Sequence, residues 1–182
     1  GLKAAVFITL VRVVGSLIST PALSAQVMAS FQPVFWVSAL ATMFIGNVIA
    51  LQQNNLKRML AYSSIAHTGY LLLGFVAAPV NADALGAVLF YVMVYAIMNL
   101  GAFAVLSTLS ARADSGLELD DVAGLAHKHP WLALALSVFL FSMAGLPPTA
   151  GFTSKYFLFY SAVLAGNVWL VVLAVLCSAI AA

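Results

Sequence analysis

The chain has 182 residues, 64% of them hydrophobic and 7% charged, with a mean hydropathy of +1.11 and a formal net charge of +2. Soluble domains carry about a quarter charged residues, so the composition excludes one and points to a polytopic helical membrane protein built from spans of roughly 20 residues. The small net charge and the lack of a basic cluster argue against a nucleic-acid partner. The single cysteine, Cys177, excludes an internal disulfide, an iron–sulfur cluster and a cysteine zinc site.

In chain order, residues 1–19 read as a helix carrying Lys3 and Arg12, ended by Ser19-Thr20-Pro21. Residues 20–32 read as an uncharged connection, because Pro21 and Pro33 bracket it. A second span covers about 34–51, and Gln52 to Arg58 form a short polar loop. The third span, about 59–78, holds Tyr62, Ser63, Ser64, His67 and Thr68 in its first half. Pro79 to Asp83 turn the chain into a fourth span, about 84–109. Residues 110–130 are the one strongly polar segment, with Arg112, Asp114, Glu118, Asp120, Asp121, His127, Lys128 and His129. A span from about 131 to 165 is then interrupted near 145–151, and 167–182 begin one more helix. The expected fold is a single all-α transmembrane bundle over 1–182. Both chain ends fall in apolar runs, as expected of a piece of a longer subunit, and no signal-peptide pattern opens it.

Lys and Arg in short loops set orientation. Lys57 and Arg58 lie in one loop, Arg112 and Lys128 in another, and two spans separate them. Both loops therefore belong on one side, the cytoplasm or its equivalent. Trp36, Trp131 and Trp169 fall near span ends, as an aromatic belt requires.

The interruption carries the sharpest chemical signal. Gly145, Pro147, Pro148 and Gly151 break an apolar run beside Lys155. Proline removes a backbone donor and clashes with the preceding turn. Irregular backbone at membrane depth survives only inside protein or along a watery cavity. The break is thus expected to leave carbonyls and amides unpaired, giving water a foothold beside Lys155. Lys3, His67 and Lys155 are the ionisable groups expected at membrane depth, whereas every Asp and Glu falls in a loop. A lysine at mid-membrane costs about 2.5–3.5 kcal/mol on insertion scales. Either these lysines are neutral part of the time or their counter-charge lies outside this chain. For Lys155 the alternative is a side chain snorkelling to the interface; for His67 it is hydrogen-bonded packing. Gly69, Gly74, Gly86 and Gly101 suit close helix packing. No nucleotide-binding glycine motif, phosphate loop or metal-ligand spacing is present, so no cofactor or metal is expected in this chain.

Two stretches carry a family resemblance: Asn55-Leu56-Lys57-Arg58-Met59-Leu60-Ala61-Tyr62-Ser63-Ser64-Ile65-Ala66-His67-Thr68-Gly69-Tyr70, and Ala144-Gly145-Leu146-Pro147-Pro148-Thr149-Ala150-Gly151-Phe152-Thr153-Ser154-Lys155-Tyr156. Together they resemble the antiporter-like membrane subunits of respiratory complex I, the NADH:quinone oxidoreductase, which are related to multisubunit cation/proton antiporter subunits. Lys155-Tyr156 resembles the subunit N type most. The resemblance implies half of an inverted-repeat antiporter-like fold and a proton-translocating role driven by redox chemistry in other subunits. It implies that Lys155 matches the lysine of a discontinuous helix, Lys3 a central lysine on a helix that continues upstream, and His67 a polar-axis position. The family's essential glutamate and first broken helix have no counterpart here. Implied partners are other membrane subunits, the lipid bilayer, protons and water. The implied location is a bacterial inner membrane, with mitochondrial inner and thylakoid membranes as alternatives. A Na⁺/H⁺ antiporter subunit and a structural subunit with a silent channel are the rival functions.

Overall fold

The computed structural model describes residues 2–19, 21–110 and 118–181, without the side chains of 21–29 and 110. Gly1, Thr20, Arg112, Asp114 and Ala182 lie outside the described residues. The described elements are helices: α1 (Leu2–Ile18), α2 (Pro21–Leu51), α3 (Leu56–Ala77), α4 (Asp83–Ser110), α5 (Leu125–Lys128), α6 (Pro130–Ala144), α7 (Ala150–Leu164) and α8 (Val168–Ile180), with a 3-10 turn at Asp120–Val122.

Ser30–Leu51, Leu56–Ala77 and Asp83–Leu109 are each long and apolar enough to cross a membrane. Of these, α3 is the least apolar and the most buried. Its hydroxyls and histidine are tolerated because neighbouring helices, rather than lipid, surround them. One side of α3 is covered by α2, while α6 and α7 pack on α4 and α8 reaches α2.

Small residues set the spacing. A Cβ at Gly46 would lie 2.7 Å from the Ala66 amide nitrogen, and one at Gly69 2.7 Å from the Ala39 carbonyl oxygen. Helices α2 and α3 therefore meet backbone to backbone. Gly74 and Gly101 likewise admit Val88 and Phe139. Gly86 departs from the expected role, since a Cβ there would meet nothing within 4 Å. The outer surface carries large apolar side chains, including Phe44, Ile97, Leu134 and Leu176, as lipid contact requires.

The expected connection at 20–32 is corrected by α2, which begins at Pro21 instead of Val34. Pro21 occupies the first helical position, where a missing N–H costs nothing. Between the two prolines, Ala22 to Gln32 contain no glycine and include strong helix formers. Pro33 forgoes one ladder bond inside the helix, a loss that membrane helices accommodate. The polar loop holds two short helical pieces, Asp120–Val122 and Leu125–Lys128.

At one end of the bundle the Leu119 amide donates to the Asn54 carbonyl at 3.0 Å, and Asn55 bridges Glu118. The loop bearing Lys57 and Arg58 thus touches the segment leading to Lys128, the same-end placement the charge count requires.

Candidate functional site

The interrupted span divides into α6 and α7, and each end of the break has its own stop signal. Gly145 takes the left-handed conformation (φ +88°), and its amide and that of Leu146 donate to the Phe141 carbonyl, both at 3.1 Å. That geometry ends a helix without strain only at glycine. Pro147 and Pro148 follow, joined by a cis peptide bond. Thr149 opens α7 as N-cap, accepting from the Phe152 amide at 3.3 Å and donating to the Leu146 carbonyl at 2.6 Å. The Gly151 amide donates to Ser142 Oγ at 3.1 Å. The expectation that the break leaves its amides and carbonyls unpaired is therefore corrected for the amides of Gly145, Leu146, Thr149, Gly151 and Phe152. Capping side chains and a tight C-terminal turn pair these groups locally, within 141–152.

The Ala144 carbonyl belongs to Lys155. From the second turn of α7 this side chain folds back on the end of α6. Its Nζ donates to Ala144 O at 2.9 Å and to Ser178 Oγ of α8 at 2.8 Å. It also sits 5.2 Å from the centre of the Tyr70 ring. Lys155 is only 7% exposed, so it is not a snorkelling residue. Among the described residues, what faces the ammonium is the negative end of the α6 dipole and an aromatic face, not a carboxylate. A Cβ at Gly145 would approach Lys155 Cδ to 3.1 Å and Nζ to 3.2 Å. Glycine at 145 thus serves both the helix stop and the lysine's seat.

His67, 3% exposed, lies on the buried face of α3. Its Nδ1 pairs with Tyr91 Oη of α4 at 2.6 Å. The Tyr95 ring lies beside it, tilted by 30°, at 4.7 Å between centroids, and Tyr70 meets it edge-on at 5.7 Å. Of the hydroxyls near it in sequence, Ser63 and Tyr70 share its cavity, whereas Thr68 donates to the Ser64 carbonyl at 3.0 Å. Lys3, at the exposed start of α1, sends its Nζ to Ser64 Oγ, one helical turn before His67. Arg12 is exposed. Both lysines lie within electrostatic reach of the His67 ring.

The three sequence-predicted residues are thereby drawn into one polar line: Lys3 and Ser64, then His67 with Tyr91 and Tyr95, then Tyr70 and Lys155. A cavity of about 470 Å³ runs alongside, from Gln53 and Leu119 at the loop end past Ser63 and Asn47 to His67 and Lys155. Its wall is mostly apolar, with Asn47, Gln53, Ser63, His67, Tyr70 and Lys155 as the polar groups that could hold water. Asn47 closes the far wall: its Nδ2 donates to Tyr70 Oη at 3.2 Å and to the Cys177 carbonyl at 2.8 Å. Among the described residues no group of three His, Cys, Asp or Glu side chains converges as a metal site.

Tyr91, Tyr95, Asn47 and Ser178 were not legible as site residues from sequence. One signal was available for α4: Tyr91, Tyr95 and Asn99 recur every fourth residue in an otherwise apolar helix, which places them on one face. Ser178 carried no comparable signal.

The chain is similar to NADH-quinone oxidoreductase subunit N of Trichlorobacter lovleyi, 47% identical over 98% of this chain and 35% of the relative. It is similar also to subunit N 1 of Herpetosiphon aurantiacus, 46% identical over 99% of this chain and 35% of the relative. The chain thus spans about a third of the length of these relatives. Among solved structures it resembles a chain of respiratory complex I from Thermus thermophilus with bound aureothin (TM-score 0.72, 38% identity, 82% of this chain and 33% of that one). It also resembles a chain of the Mrp complex from a Dietzia species (TM-score 0.76, 26% identity, 92% and 31%). The family model described as NADH:quinone oxidoreductase/Mrp antiporter, TM, matches residues 2–181. With that match over nearly its whole length, this helical membrane chain belongs to the NADH:quinone oxidoreductase/Mrp antiporter transmembrane family.

Proposed function

We propose that this chain forms the part of a subunit N-type membrane subunit that moves protons through a relay of Lys3, His67, Lys155 and water. Redox chemistry in other subunits of an NADH:quinone oxidoreductase drives it, in a bacterial inner membrane. The chain itself holds no redox cofactor in this reading. The observation that carries it is the seat of Lys155, a buried ammonium held by a carbonyl, a hydroxyl and a ring face. Neutral acceptors of this kind leave the lysine free to alternate between charged and neutral forms, where a carboxylate partner would hold its proton. The cavity beside it joins His67 to the loop end, and Lys57, Arg58 and Lys128 put that end in the cytoplasm.

The test uses the assembled complex in membrane vesicles at matched subunit levels. Lys155→Met keeps the bulk of the stem and removes the titratable nitrogen, so assembly survives and proton uptake falls sharply, with coupled quinone reduction following. Lys155→Arg also impairs, because a guanidinium holds its proton too tightly to release it. Normal pumping by the arginine variant would mean that a fixed positive charge suffices. Normal pumping by the methionine variant would leave a structural subunit with a silent channel. The likeness to the Mrp complex of Dietzia favours a second reading, a Na⁺/H⁺ antiporter subunit. Partner subunits that carry redox centres, found by purification from native membranes, decide between the two.

A further inference from the structure

Tyr91 reaches His67 from α4, and its hydroxyl proton has one place to go. The Oη lies 2.6 Å from His67 Nδ1, its sole hydrogen-bond partner among the described residues, and the side chain is only 1% exposed. A neutral imidazole carries a proton on one ring nitrogen and a lone pair on the other, and the hydrogen bond made by one nitrogen decides which is which. If Nδ1 kept the proton, it would donate to Tyr91 Oη and leave the hydroxyl proton buried without an acceptor, a loss that folded proteins avoid. With the proton on Nε2, the Tyr91 hydroxyl donates to the Nδ1 lone pair and both groups are satisfied.

The ring is also held against turning over. Tyr95 lies beside it at 4.7 Å between centroids, and Tyr70 meets it edge-on at 5.7 Å. A half-turn would set a ring carbon against the Tyr91 hydroxyl in place of Nδ1 and forfeit that bond. The two nitrogens of an imidazole point in diverging directions, so Nε2 faces away from Tyr91. No protein group among the described residues pairs with Nε2, yet it is not sealed in. It keeps access to the 470 Å³ cavity that His67 lines together with Lys155.

We infer that Tyr91 is a positioning residue that holds neutral His67 as its Nε2–H tautomer, so that the ring offers the cavity a proton donor and no lone pair. A consequence rests on the relay reading. Uptake of a further proton then means protonating Nδ1, with the Tyr91 hydroxyl turned aside so that its oxygen accepts from the new N–H. Tyr91 keeps its own proton throughout, and that proton is left buried without an acceptor. The step is disfavoured by on the order of tenfold or more. Tyr91 is thus a brake on proton uptake at His67 and not a carrier.

The direct test is solid-state NMR of the assembled complex carrying ring-15N histidine, with His67 assigned as the signal lost in His67→Gln. The Nε2–H form is expected to outnumber the Nδ1–H form by on the order of tenfold or more. Tyr91→Phe keeps the ring and removes only the hydroxyl, so the ratio should fall at least severalfold, whereas Tyr95→Phe should leave it unchanged. A predominant Nδ1–H form, or a ratio that Tyr91→Phe does not move, overturns the assignment. The second arm is a double-mutant cycle on passive proton leak into sealed vesicles with NADH withheld. Tyr91→Phe should raise the leak severalfold when His67 is present and change nothing in the His67→Gln background, because the tyrosine acts through the histidine. An equal change in both backgrounds, or none in either, overturns the brake. Normal pumping by His67→Gln would sink the relay reading alone, since the tautomer is read without pumping.

Discussion

Gly151→Ala tests whether Lys155 works only from its seat on α6. A Cβ at 151 would fall 1.7 Å from the Ser142 carbonyl oxygen, where ordinary contact begins at 3.4 Å. The obstacle is backbone on both sides, so no rotamer change relieves it, and α7 must retreat from the last turn of α6 by about 1.7 Å. The Lys155–Ala144 bond, 2.9 Å long, would then stretch past the roughly 3.2 Å reach of a hydrogen bond. A hydrogen bond to a charged group contributes about 1.5–3 kcal/mol. A displacement of about 1 Å at a reacting group costs about 10²-fold in rate. The expected result, in vesicles with matched subunit levels, is a lower unfolding temperature and at least a tenfold fall in proton uptake, with Lys155 still present. Gly86→Ala is the control, since its Cβ meets nothing within 4 Å and both stability and uptake should hold. Gly151→Ala that assembles and pumps like Gly86→Ala would refute the claim that the close approach of α6 and α7 positions the lysine.

His67→Gln keeps hydrogen bonding to Tyr91 but cannot take up a proton at working pH; assembly should survive and proton uptake should slow, whereas full pumping would restore the packing reading. Asn47→Leu removes the link from α2 to Tyr70 and the Cys177 carbonyl, which then keeps the Ala181 amide as its donor. Thermal unfolding of the purified complex should show a loss of about 1–3 kcal/mol; an unchanged midpoint would mean water replaces the amide. Cysteines at Asn55 and Asp121 should label from the same side of sealed vesicles and one at Asn81 only from the other, and labelling of 55 and 121 from opposite faces would overturn the topology.

Much of the fold was readable because burial in lipid leaves a coarse, long-range pattern. Apolar runs of about 20 residues had to be helices, since no other structure satisfies an open backbone there. The charge count placed two loops at one end, and the Asn54–Leu119 bond brings them together. The resemblance to antiporter-like subunits, read from residues 55–70 and 144–156, is borne out by a family match over residues 2–181. Lys155, Lys3 and His67 announced themselves because an ionisable group in an apolar run is costly, and cost is visible without coordinates.

The tertiary structure decided what each of them touches. Proline marks a break only when its position in the helix is known, so Pro21 at a first turn read like Pro147 and Pro148 until α2 was seen. The pairing of the break's backbone depended on Thr149, Ser142 and Gly145 meeting across nine residues or fewer, geometry that composition does not carry. Lys155 found its partners in Ala144, eleven residues back, and Ser178, on another helix. Tyr91 came to His67 from α4. A hydrogen bond depends on where two helix faces meet, and that is set by the glycines and small residues that let α2, α3 and α4 close together. Span and charge can be read one residue at a time; a polar line through a bundle exists only between helices.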